Sequence, residues 1–376
     1  MSFEEPTPPF SLDLDVAALS RLFSNTTNSY KFLFFLSLLD ILKRNKFEPG
    51  LEIHFRDITI EMLANSWYPH TYFRLSFGLQ DKITEKLDSF NLEISAPILK
   101  FKDSEKKLLR ETISTQLLDD SLMRYVPYRT LRPFFEQEVR GIPDNRVDAA
   151  IGNLANQYFF DRKPLYRFGE GRNSIIFHSS WVEYIKLHYS IVRAWVAWNW
   201  LGYMQKCNQA VPAVSSKLFP PQERDALKKQ TEYWKLVAER SEIKCIYSGN
   251  LLSPSMFSLD HYLPWSFVAH DLLWNLIPTL AEVNSSKSDR LPANIYFQRF
   301  VALQCQGLRV SSEYFERPKW EKYTEPFIAD LKIVDRADLL DVDRLNRAYD
   351  LNVKPLIELA KSCGFSADWR FQAFSE

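Results

Sequence analysis

Apolar positions along the chain recur mainly every three or four residues and only rarely every second one. That period predicts a mainly α protein. Helices are expected over residues 12–23, 30–44, 57–66, 79–90, 104–117, 147–157, 180–206, 222–240, 295–306, 325–337, 341–349 and 354–363. Segment 30–44 is apolar on nearly every face, which suits the centre of a helical domain. Its run 32–42 (FLFFLSLLDIL) is too short to span a bilayer, and Asp40 interrupts it. Tryptophans 181, 195, 198 and 200 predict heavy burial of helix 180–206, with His188 an ordinary helix residue. Residues 165–168 and 174–177 read as a hairpin about Gly169-Glu170-Gly171. Residues 256–263 and 274–278 read as two further strands, followed by a helix over 279–288.

Punctuation divides this pattern. Glu48-Pro49-Gly50 closes an early unit, and residues 316–319 interrupt a later one. Residues 208–221 (NQAVPAVSSKLFPP) have the composition of a linker. The expected domains are a helical region 1–207, the linker 208–221, a module 222–306 and a helical region 307–376. Apolar strips flank the strands: Tyr233, Trp234 and Val237 before them, Ile295, Tyr296, Phe300 and Leu303 after. These are expected to clamp the small module onto its helices.

Composition adds limits. Hydrophobic residues make up 46% and aromatic residues 15%, with only 10 glycines, which fits packed globular structure and leaves little room for glycine-rich phosphate loops. Lysine plus arginine balances aspartate plus glutamate at 47 each, so any nucleic-acid affinity needs a local basic patch. Arg124, Arg129 and Arg132 stand among aromatics at 125–128; they read either as a base-stacking surface or as a core edge with snorkelling arginines. The four scattered cysteines suggest no disulfide framework and a reducing cytoplasm. The start, MSFEEPTPPF, is acidic and proline-rich, unlike a signal peptide, and no membrane association is expected.

Candidate chemistry gathers in residues 257–292. Asp260 and His261 are adjacent, Pro264 follows three residues after the histidine, Asn275 fourteen after it, and Asn284-Ser-Ser-Lys287 begins twenty-three after it. On an extended segment, Asp260 and His261 point to opposite faces. Asn284 and Lys287, three apart on a helix, share one. The carboxylate and amide oxygens suit a hard cation. His261 has the chemistry of a general base near neutral pH. His270-Asp271 reads as solvated loop.

In order and spacing these residues resemble the HNH (ββα-metal) endonucleases. The likeness is closest to the form with Asn at the third motif position, as in the HNH domain of CRISPR effector nucleases. It covers about residues 243–300. The resemblance implies that the helical protein carries a small ββα-metal nuclease module that cleaves DNA. It implies Mg²⁺ or Mn²⁺ held by Asp260 and Asn284, and His261 as the base. Asn275 would tie the loop and hold the His261 carbonyl, and Lys287 and Arg290 would bind phosphate. Many members also carry two Cys-x-x-Cys pairs for a structural zinc. Here Cys245 is followed by Ser248, so no structural zinc is expected. A nuclease module with large helical partners resembles bacterial restriction or phage-defence effectors, which implies a homo-oligomer or a defence-system protein as partner. Two alternatives stand beside this reading: a binding or scaffold protein with a vestigial HNH fold, and an RNase.

Overall fold

The computed structural model describes residues 6–79, 81–90, 103–220 and 226–372. Residue 80 of the expected helix 79–90 and residues 222–225 of the expected helix 222–240 lie outside them. The chain divides into two compact units, Met1–Gln209 with Lys217–Gln222, and Ala210–Ser216 with Glu223–Glu376. The architecture is mainly α, with two small sheets among the described residues.

Unit 1 contains α1 (Val16–Ser20), α2 (Tyr30–Arg44), β1 (Glu52–His54), α3 (Phe55–Trp67), α4 (Lys82–Asp88), α5 (Asp103–Gln116), α6 (Val126–Leu131), α7 (Asp144–Gln157), α8 (Phe159–Arg162), β2 (Tyr166–Phe168), β3 (Ser174–Phe177), α9 (Ser179–Leu187) and α10 (Tyr189–Cys207). The apolar run of α2 puts Phe32, Leu33, Phe34, Phe35 and Leu36 in the core together with Leu38, Leu39 and Leu42. Each such side chain contributes about 2 kcal/mol by leaving water. The buried Glu61 of α3 meets Arg44 of α2 and Lys106 of α5, both at 2.8 Å, so one carboxylate ties three helices.

Three expectations in this unit are corrected. The strand β1 follows Glu48-Pro49-Gly50 and pairs with β3 in the antiparallel order β1-β3-β2. Three residues are too few to show a period of two. The helix expected over 180–206 is two helices, because His188 leaves helical geometry (φ −108°, ψ 20°) between α9 and α10. Trp181, Trp195 and Trp200 are buried as expected, but Trp198 is 60% exposed.

Unit 2 contains α11 (Lys228–Arg240), β4 (Ser258–His261), α12 (Trp265–Val268), β5 (Leu276–Thr279), α13 (Ala281–Lys287), α14 (Phe297–Tyr314), α15 (Arg317–Leu331) and α16 (Val342–Ser362). The expected break at 316–319 is instead the start of α15, where Pro318 sits in the first turn and its missing N–H costs nothing. The two helices expected over 341–363 are the single α16, continuous through Pro355. The carbonyl that Pro355 cannot bond belongs to Leu351, on the exposed face.

One hydrophobic core runs through unit 2 from Tyr233, Trp234 and Val237 to Phe365 and Trp369. It includes Tyr296, Phe300 and Leu303 of the expected clamp, whereas Ile295 is 56% exposed. Residues from the C-terminal helices, such as Tyr349 and Val353, belong to the same core. Gly307 lets α14 approach α11: a Cβ there would meet the Trp234 ring at 3.0 Å.

Candidate active site

Strands β4 and β5 pair antiparallel, with Asp260 opposite Ile277 and His261 opposite Leu276. All four residues of β5 are buried, so the ladder's register is fixed by the core. Helices hold it from outside. The Trp234 indole donates to the Leu276 carbonyl at 3.1 Å. Gln304 donates to the carbonyls of Leu273 and Leu276 at 3.1 and 3.0 Å. Tyr349 donates to the Trp274 carbonyl at 2.9 Å, and the Tyr262 and Phe300 rings stack at 4.0 Å.

The adjacent Asp260 and His261 face different partners. Asp260 is 2% exposed. Its Oδ2 accepts from the Tyr247 hydroxyl at 2.7 Å and its Oδ1 from the Lys287 ammonium at 3.0 Å. Burial, with the Asp260 charge beside it, raises the Tyr247 pKa well above its usual value, so the phenol stays a donor. His261 Nε2 lies 2.8 Å from Asp271 Oδ1. Asp271 was expected in a solvated loop. The loop instead folds inward, because Pro264 starts the single turn α12 and Ala269 ends it in the left-handed region at φ 56°. Phe267 and Val268 are buried there, and Asp271 is returned to His261. The neighbouring His270 is also largely enclosed, its ring 5.2 Å from that of Trp274. Burial pulls its pKa down to about 4, against the opposing charges of Asp330 and Asp271.

Asn275 closes the loop. Its Oδ1 accepts from the Leu263 amide at 2.8 Å and its Nδ2 donates to the Leu263 carbonyl at 2.9 Å. The carbonyl expected to be held was that of His261. The register explains the difference: Tyr262 N donates to the Asn275 carbonyl at 2.8 Å, so the side chain reaches the residue beyond. The His261 carbonyl is taken by Lys287 at 2.6 Å. Lys287 is thus wholly buried, turned inward from the phosphate-facing position expected of it. Arg290 donates from Nε to the Lys287 carbonyl at 3.2 Å and also to the Ser286 carbonyl, which places a cation on the last carbonyls of α13. Asn284 Nδ2 donates to Ser258 Oγ and the Leu259 carbonyl, both at 3.1 Å. Two acceptors fix that amide group and leave Oδ1 as its remaining polar atom.

A carboxylate and an amide oxygen are the donor types that a hard divalent cation takes. A carboxylate offers about four lone-pair positions, of which Asp260 uses two here. The Asn284 oxygen comes from the helix packed on the same strand. Such an ion keeps several waters and needs few protein ligands. Among the described residues no group of three or more His, Cys, Asp or Glu side chains is placed to hold a metal. Cys245 is buried against Thr279, Sγ to Oγ1 3.1 Å. Sequence reasoning missed Tyr247 and Asp271: neither has a spacing signal, and only the loop closure brings them to the pair.

A family model of HNH endonucleases matches residues 245–293, which places an HNH domain in the C-terminal region. No curated protein and no solved structure matches the chain. The match supports nuclease action on nucleic acid, and members of that family generally use divalent metal ions. Among the described residues, no helix is long and apolar enough to cross a membrane.

Proposed function

We propose that unit 2 hydrolyses phosphodiester bonds in DNA, with His261 as general base and Mg²⁺ or Mn²⁺ held by Asp260 and Asn284. The observation that carries this reading is the His261–Asp271 pair beside the Asp260 carboxylate. With Nε2–H donating to Asp271, Nδ1 is the bare nitrogen that takes a proton from the attacking water. Asp271 is a positioning residue: its contact with Nε2 fixes the tautomer and the orientation of the ring. Asn275 keeps the loop that carries Asp271 closed. Held by Asp260 and Asn284, a divalent cation would supply Lewis-acid stabilisation of the charge on the leaving 3′ oxygen. Arg290 sits at the mouth of α13 as a candidate phosphate contact. Lys287 neutralises Asp260 from the inside.

The four cysteines are free thiols, which suits the cytoplasm. A helical body joined to a nuclease domain suits a bacterial restriction or anti-phage role, with DNA and either a second copy or a defence-system protein as partners.

The test is nicking of plasmid DNA with Mg²⁺ or Mn²⁺, with RNA as competitor. His261→Ala is expected to lower the rate by about 10²–10⁴-fold. Chelation by EDTA is expected to stop cleavage without unfolding the protein, because unit 2 is held by an apolar core. Retained cleavage in His261→Ala with loss in His270→Ala overturns the base assignment. Preferential cleavage of the RNA overturns DNA as substrate.

A further inference from the structure

Unit 1 contains a half-open cleft of about 1220 Å³. It is lined by the polar segment 24–28 and by α6 and the turns after it. Five basic side chains face it, Arg21, Lys31, Arg129, Arg132 and Arg140, against two acidic ones, Glu136 and Asp144. This segregation answers the zero net charge of the chain, which required any basic surface to be local.

The cations are poorly neutralised. Arg21 lies 3.7 Å from Glu136, Arg132 3.8 Å from Asp144 and Arg129 3.9 Å from Asp148. Charge-assisted hydrogen bonds are about 2.7–2.9 Å, so these are loose approaches. Lys31 meets carbonyls instead of a carboxylate: Leu22 at 3.1 Å and Asn25 at 3.2 Å. Its pKa falls to about 8, first through burial and then through the like charges of Arg132 and Arg129. Arg129 also lies over the Tyr125 ring, 4.8 Å from its centroid, and Tyr125 is 43% exposed.

We propose that this cleft binds the clustered phosphates of a nucleotide or short oligonucleotide, with Lys31, Arg129 and Arg132 as the phosphate-holding groups. Forked guanidiniums match phosphate oxygens, and an arginine plane laid on a tyrosine offers a flat surface to a base. The cleft exceeds the roughly 300–1,000 Å³ of a typical small-ligand site, which favours more than one nucleotide. It lies wholly in unit 1, so the inference is independent of the nuclease reading.

The test uses the full chain in EDTA, which keeps the nuclease domain from cutting the probes. Binding of ATP and of fluorescein-labelled (dT)8 is measured by calorimetry and anisotropy over a salt series, in wild type and in Arg129→Gln/Arg132→Gln. Both arginines are about half exposed, so the variant is expected to fold, and its circular dichroism melt checks this. The expected result is saturable binding of at least one probe, weakened by at least about tenfold in the variant. For (dT)8 the salt slope is expected to fall by about 1 for each arginine lost. The tighter probe identifies the source of the phosphates. Absence of saturation below about 1 mM for both probes overturns the proposal. So does a variant that folds and binds with unchanged affinity and salt slope.

Discussion

At the scale of single residues, the interior of the site is a charge balance. Lys287 and Asp260 are both buried and paired at 3.0 Å. Removing one member of such a pair leaves a charge without water or partner, which costs about 3–5 kcal/mol. Lys287→Met is therefore expected to lower the melting temperature markedly. It also exposes the Asp260 carboxylate to a cation that the lysine otherwise opposes. Mn²⁺ is expected to raise the melting temperature of Lys287→Met by several degrees more than that of the wild type, by linkage of metal binding to folding. Equal Mn²⁺ shifts in the two proteins, read by scanning calorimetry, contradict the placement of the cation at Asp260. His261 and Asp271 follow a different logic. They are partly solvated, and their pairing selects a tautomer more than it contributes stability.

At the scale of elements, the ββα unit is short and stands on borrowed packing. About 50 residues bury too little surface to be comfortably stable alone. Here α11 and α14 supply the missing contacts through Trp234, Gln304 and Phe300. Their close approach depends on Gly307. Gly307→Val places branched carbons against the Trp234 ring and the Tyr233 hydroxyl, and overpacking of this kind costs about 1–3 kcal/mol. The melting temperature of unit 2 is expected to fall by several degrees. The fragment 243–292 is expected to be molten, 222–306 more ordered, and the full chain the most cooperative, in circular dichroism melts of the three. A cooperative melt of 243–292 in EDTA rules out dependence on the clamp. Since Tyr349 and Trp369 share this core, the middle fragment is expected to fall short of the full chain.

At the scale of the whole molecule, acid is the expected weakness. His270 has a folded pKa of about 4 against the ordinary 6.5. Between those values the unfolded chain binds a proton that the folded chain refuses, so protonation favours unfolding. Its contribution is complete above pH 6.5, declines as pH falls, and is exhausted near pH 4. The size is at most about 3 kcal/mol, from 1.36 kcal/mol for each pKa unit. His270→Phe, which keeps a ring beside Trp274, is expected to flatten the stability profile between pH 6.5 and 4 in urea titrations. An unchanged slope shows that other groups set the acid limit.

The sequence by itself determined the helical class, because the 3.6-residue period and the apolar run of α2 allow little else. It also marked Asp260, His261, Asn275 and Asn284, because the order of residue types along a short, locally folded segment survives in sequence. The tertiary structure decided what each of them touches. Tyr247 and Asp271 reach Asp260 and His261 through loop closure, which no local period encodes. Lys287 turned from an expected surface contact into a buried counter-ion, because the helix face it shares with Asn284 packs on β4. The break expected at 316–319 and the gap expected between 349 and 354 are both helical, since Pro318 falls in a first turn and Pro355 frees a carbonyl on an exposed face. The basic cleft of unit 1 was hidden in the same way. Its charges come from segments a hundred residues apart, and a balanced composition shows nothing until folding gathers one sign on one surface.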